Sequence, residues 1–362
     1  MKIFHLRSRA VRTSALLCCG FAAASVAWSE SAPILRSDGH SVTVDPAIAP
    51  YNPHPPLSGD LHLVGGGGIG TDVEGVMAAW AEIFHRAHPL VNIHLAIYTS
   101  GCAPSALVEE RAEVGIMTRD VWPFEFTLYR NKKYKLLEVV AAGAVYDQFG
   151  YAKRQCIYVH KDNPISKLTL AQVDAIFSKT RKRGYPEDIT RWGQLGLTGE
   201  WADKPIHLYG NTAQPDGNPY YFQLRVLQGG DWKDGLQTLR EPNAIVNDRY
   251  AIGFAPANHA GGRGPDGLWR AGELEGAKTV ALAETEAGPY YDDSFENVLN
   301  RTYPLSRYVS LFLNQYPDKP FNPLAAEFVR VALSKEGQEA VARTIFLPLP
   351  ANVVADSLAK IK

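Results

Sequence analysis

Residues 61–88, LHLVGGGGIGTDVEGVMAAWAEIFHRAH, run from an apolar strand through a glycine loop into a helix opened by a threonine. Loop glycines let main-chain N–H groups converge, and the first turn of the helix adds unpaired donors and the positive end of its dipole. The junction is built to hold an anion and belongs to an α/β chain. Thr71 is placed as the N-cap, with Glu74 in position to close a capping box. Two readings of Thr71 stand. It caps the helix and nothing more, or its hydroxyl and the amides around Gly70 and Asp72 also face a ligand. Asp72 and Glu74 oppose the second reading, because carboxylates in the first turn compete with an added anion.

Gly65, Gly67 and Gly70 satisfy the G-x-G-x-x-G spacing of dinucleotide sites, but that fold needs an acidic residue at the end of its second strand. Here the second strand, NIHLAIY, runs into Thr99, Ser100 and Gly101. A P-loop is excluded because no Gly-Lys-Ser/Thr follows.

Strand and helix signals alternate along the chain. LHLVG, NIHLAIY and EVGIM read as strands, separated by helices over 72–88 and 104–111. The pattern restarts after Gly150 with CIYVHKDNP, a helix after Thr169, IHLYG, the loop NTAQPDGNP, a helix over 220–227 and the strand AIGFAP. YPLSRYVSLFLN and a helix from Pro323 to about Arg343 complete the order. In a parallel α/β sheet ligands collect at the carboxyl ends of strands. The hydroxyl and charged groups at Ser100–Gly101 and at Thr118–Arg119 therefore join the glycine loop as candidate ligands, with simple capping as the alternative at each position.

The first 29 residues read as a signal peptide: Lys2, Arg7, Arg9 and Arg12 precede an apolar run too short to span a bilayer, and Ala27-Trp28-Ser29 offers a cleavage site. Cleavage leaves 33 basic against 38 acidic residues. The excess of acidic groups and the lack of a basic run longer than the cluster at 180–184 argue against nucleic acid. Cys102 and Cys156 remain, and an oxidising compartment would permit them to pair. Residues 30–57 are proline-rich and read as an extended lead-in without a core of its own. Catalysis is not expected: there is no HExxH array and no G-x-S-x-G elbow, and Cys102 has no identifiable base. No cofactor is implied.

Taken together, the glycine-loop junction, AEVGIMTRD, VHKDNPISKLTLAQVDAIFS with ITRWGQLG, AIGFAP, YPLSRYVSLFLN and LPLPANVVADSLAKI resemble the periplasmic phosphate-binding proteins of ABC importers. These are the PstS-like members of the type 2 periplasmic binding-protein fold. The resemblance covers residues 59 to 358. It implies a two-lobed α/β protein with mainly parallel sheets, flanking helices and a ligand cleft between the lobes. The first lobe is expected over 59–150 and 255–362, and the second over 151–254.

The resemblance further implies a secreted, periplasmic and monomeric solute-binding protein that closes on a small oxyanion, phosphate first, for the membrane subunits of an importer. Thr71, Ser100 and Thr118 with Arg119 take the family's hydroxyl and charged positions, and Asp120 or Asp72 could accept a proton from the ligand. The second lobe departs from the family pattern of an arginine followed by Gly-Ser-Gly-Thr. With Asp216, Gly217 and Phe222 in register, Gln214 stands at the arginine, and Asn218, Pro219 and Tyr220 replace the small hydroxyl run. An alternative follows: a PstS-like scaffold that has lost tight phosphate binding and serves as a sensor or interaction protein.

Overall fold

The computed structural model describes residues 32–36, 39–66, 73–146, 153–210, 217–238, 243–257, 262–263, 269–270 and 276–362. Strand β1, Ser58–Gly66, leads to helix α1, Val73–Ala87. The helical spacing of Val73, Val76, Met77, Trp80 and Phe84 buries all five side chains completely. The Trp80 indole donates to Gly337 O at 3.0 Å, which satisfies its polar edge inside the core. Next come β2 (Leu90–Ile97), α2 (Cys102–Val108), β3 (Val114–Met117), α3 (Pro123–Leu128) and the eleven-residue β4 (Lys135–Val145).

The chain then crosses to a second unit. It contains β5 (Gln155–His160), α4 (Leu170–Phe177), β6 (His207–Gly210), α5 (Gly217–Arg225), β7 (Gln237–Thr238), β8 (Ala251–Pro256) and β9 (Ala277–Thr279). It returns through β10 (Tyr308–Gln315), α6 (Pro323–Ala332), α7 (Lys335–Ala342), β11 (Phe346–Leu347) and α8 (Ala351–Ala359).

The first sheet has the order β11-β4-β10-β3-β1-β2 and the second β7-β6-β8-β5-β9. Each covers its own apolar core, the first around Trp80, Phe84 and Phe328, the second around Phe177, Trp192, Phe222 and Phe254. These are the two α/β lobes expected from the sequence, with two corrections. Both sheets are mixed, not mainly parallel. β1 runs parallel to β2 and β3, whereas β10 enters from the other lobe and lies antiparallel to β3 and β4. In the second sheet β5 likewise opposes β8 and β9. The boundary expected at 255 also cuts through β8. That strand pairs with β5 and β6, and Ala281–Ala283 still pairs with Lys167–Thr169, so the return to the first lobe falls between Ala283 and Tyr308. An apolar hexapeptide announces a strand but does not say which sheet receives it.

The lead-in has no core of its own and packs instead on the first lobe. Val42, Val44 and Ile48 are buried in the first core, and Arg36 donates to the carbonyls of Thr344, Ile345 and Phe346. Tyr51 and His54 close on the buried carboxylate of Glu327 in α6, both at 2.7 Å. The single helix read from Pro323 to Arg343 is two. Ser334 breaks it, its Oγ donating to Val331 O at 2.7 Å and accepting from Gly337 N at 3.1 Å as the cap of α7.

The two crossovers run side by side. Gln155 N donates to Leu305 O at 3.1 Å, and the Tyr303 hydroxyl donates to Gln155 O at 2.9 Å. Among the described residues, no helix is long and apolar enough to cross a membrane.

Candidate functional site

The glycine junction is described only as far as Gly66. β1 ends on Gly65 and Gly66, both at positive φ, +122° and +136°. A Cβ on Gly65 would lie 2.2 Å from Ile116 O, so this backbone can pack against β3 only without a side chain. Gly70, Thr71 and Asp72 lie outside the described residues.

Three strand tips of the first sheet meet at one hydroxyl. Ser100 Oγ, buried, donates to Gly66 O at the end of β1 and accepts from Thr118 N, 3.2 Å, just past β3. Ser100 itself follows β2. Sequence reading placed Ser100 and Thr118 on one cleft, and they are in direct contact. The Ser100 donor is spent on Gly66.

Arg119 lies at the same place but faces inward. Its guanidinium makes a two-pronged pair with Glu125, Nη1 to Oε2 at 2.8 Å and Nη2 to Oε1 at 2.6 Å, and Nη1 also donates to Asp120 O at 2.9 Å. The Trp122 ring stacks against it with the centroid 4.1 Å from Cζ. Gly101 sits beside this guanidinium: a Cβ there would be 3.5 Å from Nη2.

The second lobe contributes the start of α5, which holds Gly217 and Asn218; Gln214 lies outside the described residues. Asn218 Oδ1 accepts from Gln155 Nε2 at 3.0 Å and from Arg307 Nη1 at 2.8 Å. Arg307 immediately precedes β10 and is only 4% exposed, and its Nη2 lies 3.7 Å from Asp120 Oδ2. One guanidinium thus joins the β3 tip of the first lobe to the α5 start of the second.

Tyr221 lies under Arg307 with its ring centroid 4.9 Å from Cζ, and its hydroxyl donates to Ser306 O at 2.9 Å. Burial, reinforced by the charge of Asp120, pushes the Tyr221 phenol above its ordinary value; the same two causes raise that of Tyr220. Three buried polar atoms at this junction have no hydrogen-bond partner among the described residues: Arg307 Nη2, Ser306 Oγ and Gln155 Oε1. Sequence reading did not find Arg307, Ser306 or Gln155. The one available signal was a lone arginine between Ser306 and a largely apolar strand.

Cys102 and Cys156 are both free thiols, so the pairing weighed from the sequence is not formed. Cys102 opens α2 in the first lobe, whereas Cys156 is buried in β5 of the second and donates to Asp293 Oδ2 at 3.3 Å. Burial, with the nearby Asp293 carboxylate, pushes the Cys156 thiol well above its ordinary value. An open hollow of about 390 Å³ beside Glu110, Tyr316 and Lys319 lies at the opposite end of β10 from Arg307 and takes no part in this junction.

A family model described as a PBP superfamily domain matches residues 59–336. The phosphate-binding protein PstS of Pseudomonas aeruginosa PAO1 is 37% identical over 317 residues, which is 87% of this chain and 91% of that protein; PstS of strain UCBPP-PA14 matches equally. Among solved structures, PstS from Borrelia burgdorferi aligns with 81% of this chain and 99% of its own at 13% identity, with a TM-score of 0.49. An ABC-type phosphate transport receptor from Vibrio cholerae aligns with 78% and 97% at 19% identity, with a TM-score of 0.45. With three quarters of its length under one family model and more than a third of its aligned residues shared with PstS, this chain belongs to the PBP superfamily and, within it, to the PstS-like proteins.

Proposed function

We propose that this protein is a secreted solute-binding protein that holds a small oxyanion, phosphate first, between its lobes and presents it to the membrane subunits of an ABC importer. The observation that carries this reading is the junction at Arg307, where Asp120 of the first lobe and Asn218 of the second meet the same guanidinium and buried donors remain unspent among the described residues. Charge-assisted hydrogen bonds from such a site are what a tetrahedral oxyanion needs in exchange for its water. The name of the Pseudomonas relative, at 37% identity, points to the same ligand.

In this reading the ligand rests on the tips at Ser100–Gly101 and Thr118 and on the start of α5 at Gly217 and Asn218. Thr71, Gly70, Asp72 and Gln214 complete the set from the sequence. Arg119, whose donors serve Glu125, positions the third tip. Contacts from both lobes make the closed arrangement the one the ligand favours, so binding and hinge closure are a single equilibrium. The protein works as a monomer in the periplasm after loss of residues 1–29, and it is not an enzyme.

Calorimetric titration with phosphate, arsenate and sulfate tests the reading. Heat and a rise in melting temperature with phosphate are expected; neither with any of the three would overturn it. A second reading, the same scaffold without tight oxyanion binding and with a sensing or interaction role, draws on two observations: the Ser100 donor is spent on Gly66, and Pro219 has no N–H to offer at the first turn of α5. A dissociation constant for phosphate above the millimolar range would favour it.

A further inference from the structure

The second-lobe motif of this chain carries Gln214 where PstS-like proteins are expected to carry an arginine, and glutamine brings no charge. Main-chain N–H groups can hold an oxyanion without a charge, but a charge-assisted contact of the kind that arginine supplies must then come from elsewhere. We propose that Arg307, on the crossover into the first lobe, supplies that cationic contact through its Nη2, an assignment that rests on the oxyanion reading above.

Burial comes first. A guanidinium only 4% exposed has lost most of its water, and an unpaired ion in such a place costs several kcal/mol. Its compensation is incomplete. Nη1 is satisfied by Asn218 Oδ1, but Nη2 has no hydrogen bond among the described residues, and Asp120 at 3.7 Å is about one-third exposed and too distant to accept one. Ser306 Oγ, on the adjacent residue, is a second buried group without a hydrogen-bond partner among the described residues. An oxyanion oxygen is the acceptor both lack.

Orientation comes next. The Tyr221 ring supports the guanidinium, and Asn218 Oδ1, shared with Gln155 Nε2, fixes Nη1 against the start of α5. Arg301 braces the backbone of the same residue by donating to Arg307 O, while its own guanidinium stacks on Tyr308, 3.8 Å from the ring centroid. Two other buried arginines are already committed, Arg119 to Glu125 and Arg154 to Asp293 at 3.0 Å.

Position gives the arrangement its consequence. Arg307 has its main chain at the start of β10, an interior strand of the first-lobe sheet, and its side chain on the second-lobe helix, so one contact to the ligand draws on both lobes. A motif arginine on the α5 loop would belong to the second lobe alone.

The test is titration of inorganic phosphate into wild type, Arg307→Gln, and Arg307→Gln combined with Gln214→Arg. Wild-type heat establishes the oxyanion reading independently of this residue. Arg307→Gln is expected to weaken phosphate roughly 10- to 150-fold, the equivalent of one charge-assisted hydrogen bond. Gln214→Arg in that background is expected to recover at least about tenfold of the loss, which a purely structural defect would not permit. Phosphate binding by folded Arg307→Gln within about threefold of wild type overturns the assignment and leaves the oxyanion reading in place. If Arg307→Gln does not fold, Arg307→Lys identifies the Arg307 Nε–H resonance in arginine-labelled wild type. Phosphate should shift that resonance, and a resonance unmoved at saturating phosphate overturns the assignment equally.

Discussion

Arg119 and Glu125 form a two-pronged ion pair six residues apart, with Glu125 only 3% exposed, and this pair holds the tip of β3 against the start of α3. Breaking it from one side strands a buried carboxylate. Arg119→Gln is expected to cost about 3–5 kcal/mol in urea unfolding, while Arg119→Met with Glu125→Leu should recover most of that loss. An equal loss in the single and double variants would refute the pairing argument.

Ser100 ties the carbonyl of Gly66 to the amide of Thr118. Ser100→Ala leaves both without their partner and should lower stability by about 1–3 kcal/mol. The urea midpoint is expected to fall with an unchanged slope. Phosphate affinity should fall with it, since the tips lose their common tether.

Glu327 predicts an acid limb. Burial opposes its charge, but hydrogen bonds from Tyr51 and His54 outweigh burial and hold the carboxyl below its ordinary value of 4.5. A depressed folded-state value means that this stabilisation is present above about pH 4.5 and is lost as pH falls through the lowered value. Melting curves of wild type should therefore show an acid-side slope that Glu327→Gln flattens, and the variant should be less stable at neutral pH.

The thiols separate by environment. Unfolded protein without reductant should yield both Cys102 and Cys156 to Ellman's reagent. Native protein should expose Cys102 alone on the short timescale, because Cys156 is buried and its thiolate is disfavoured. A mass two units lower than the reduced chain would contradict this.

How far the sequence carried the fold depended on how local each signal was. The stripe of Val73, Met77, Trp80, Ala81 and Phe84 announced α1, with Val76 in place of Ala81 among the fully buried side chains, and AIGFAP announced β8 to the residue. β4 went unannounced because KLLEVVAAGAV has no steady alternation of apolar and polar side chains. The mixed sheet direction and the late boundary were hidden for another reason: strand partners lie far apart in the chain, as when Ser310 pairs with Met117 and Val140. The candidate site divides in the same way. The meeting of Ser100 and Thr118 was legible because both follow strands, whereas the contacts of Arg307 are with Asn218, 89 residues earlier, and with Asp120.

The seating of residues 42–57 on the helices of the first lobe gives experimenters a fixed handle. A fluorophore or an immobilising tag attached within residues 42–57 rides with that half of the molecule. A second dye on the exposed surface of the other half would then turn any change in the angle between the two into an optical distance signal, with no label placed near Arg307.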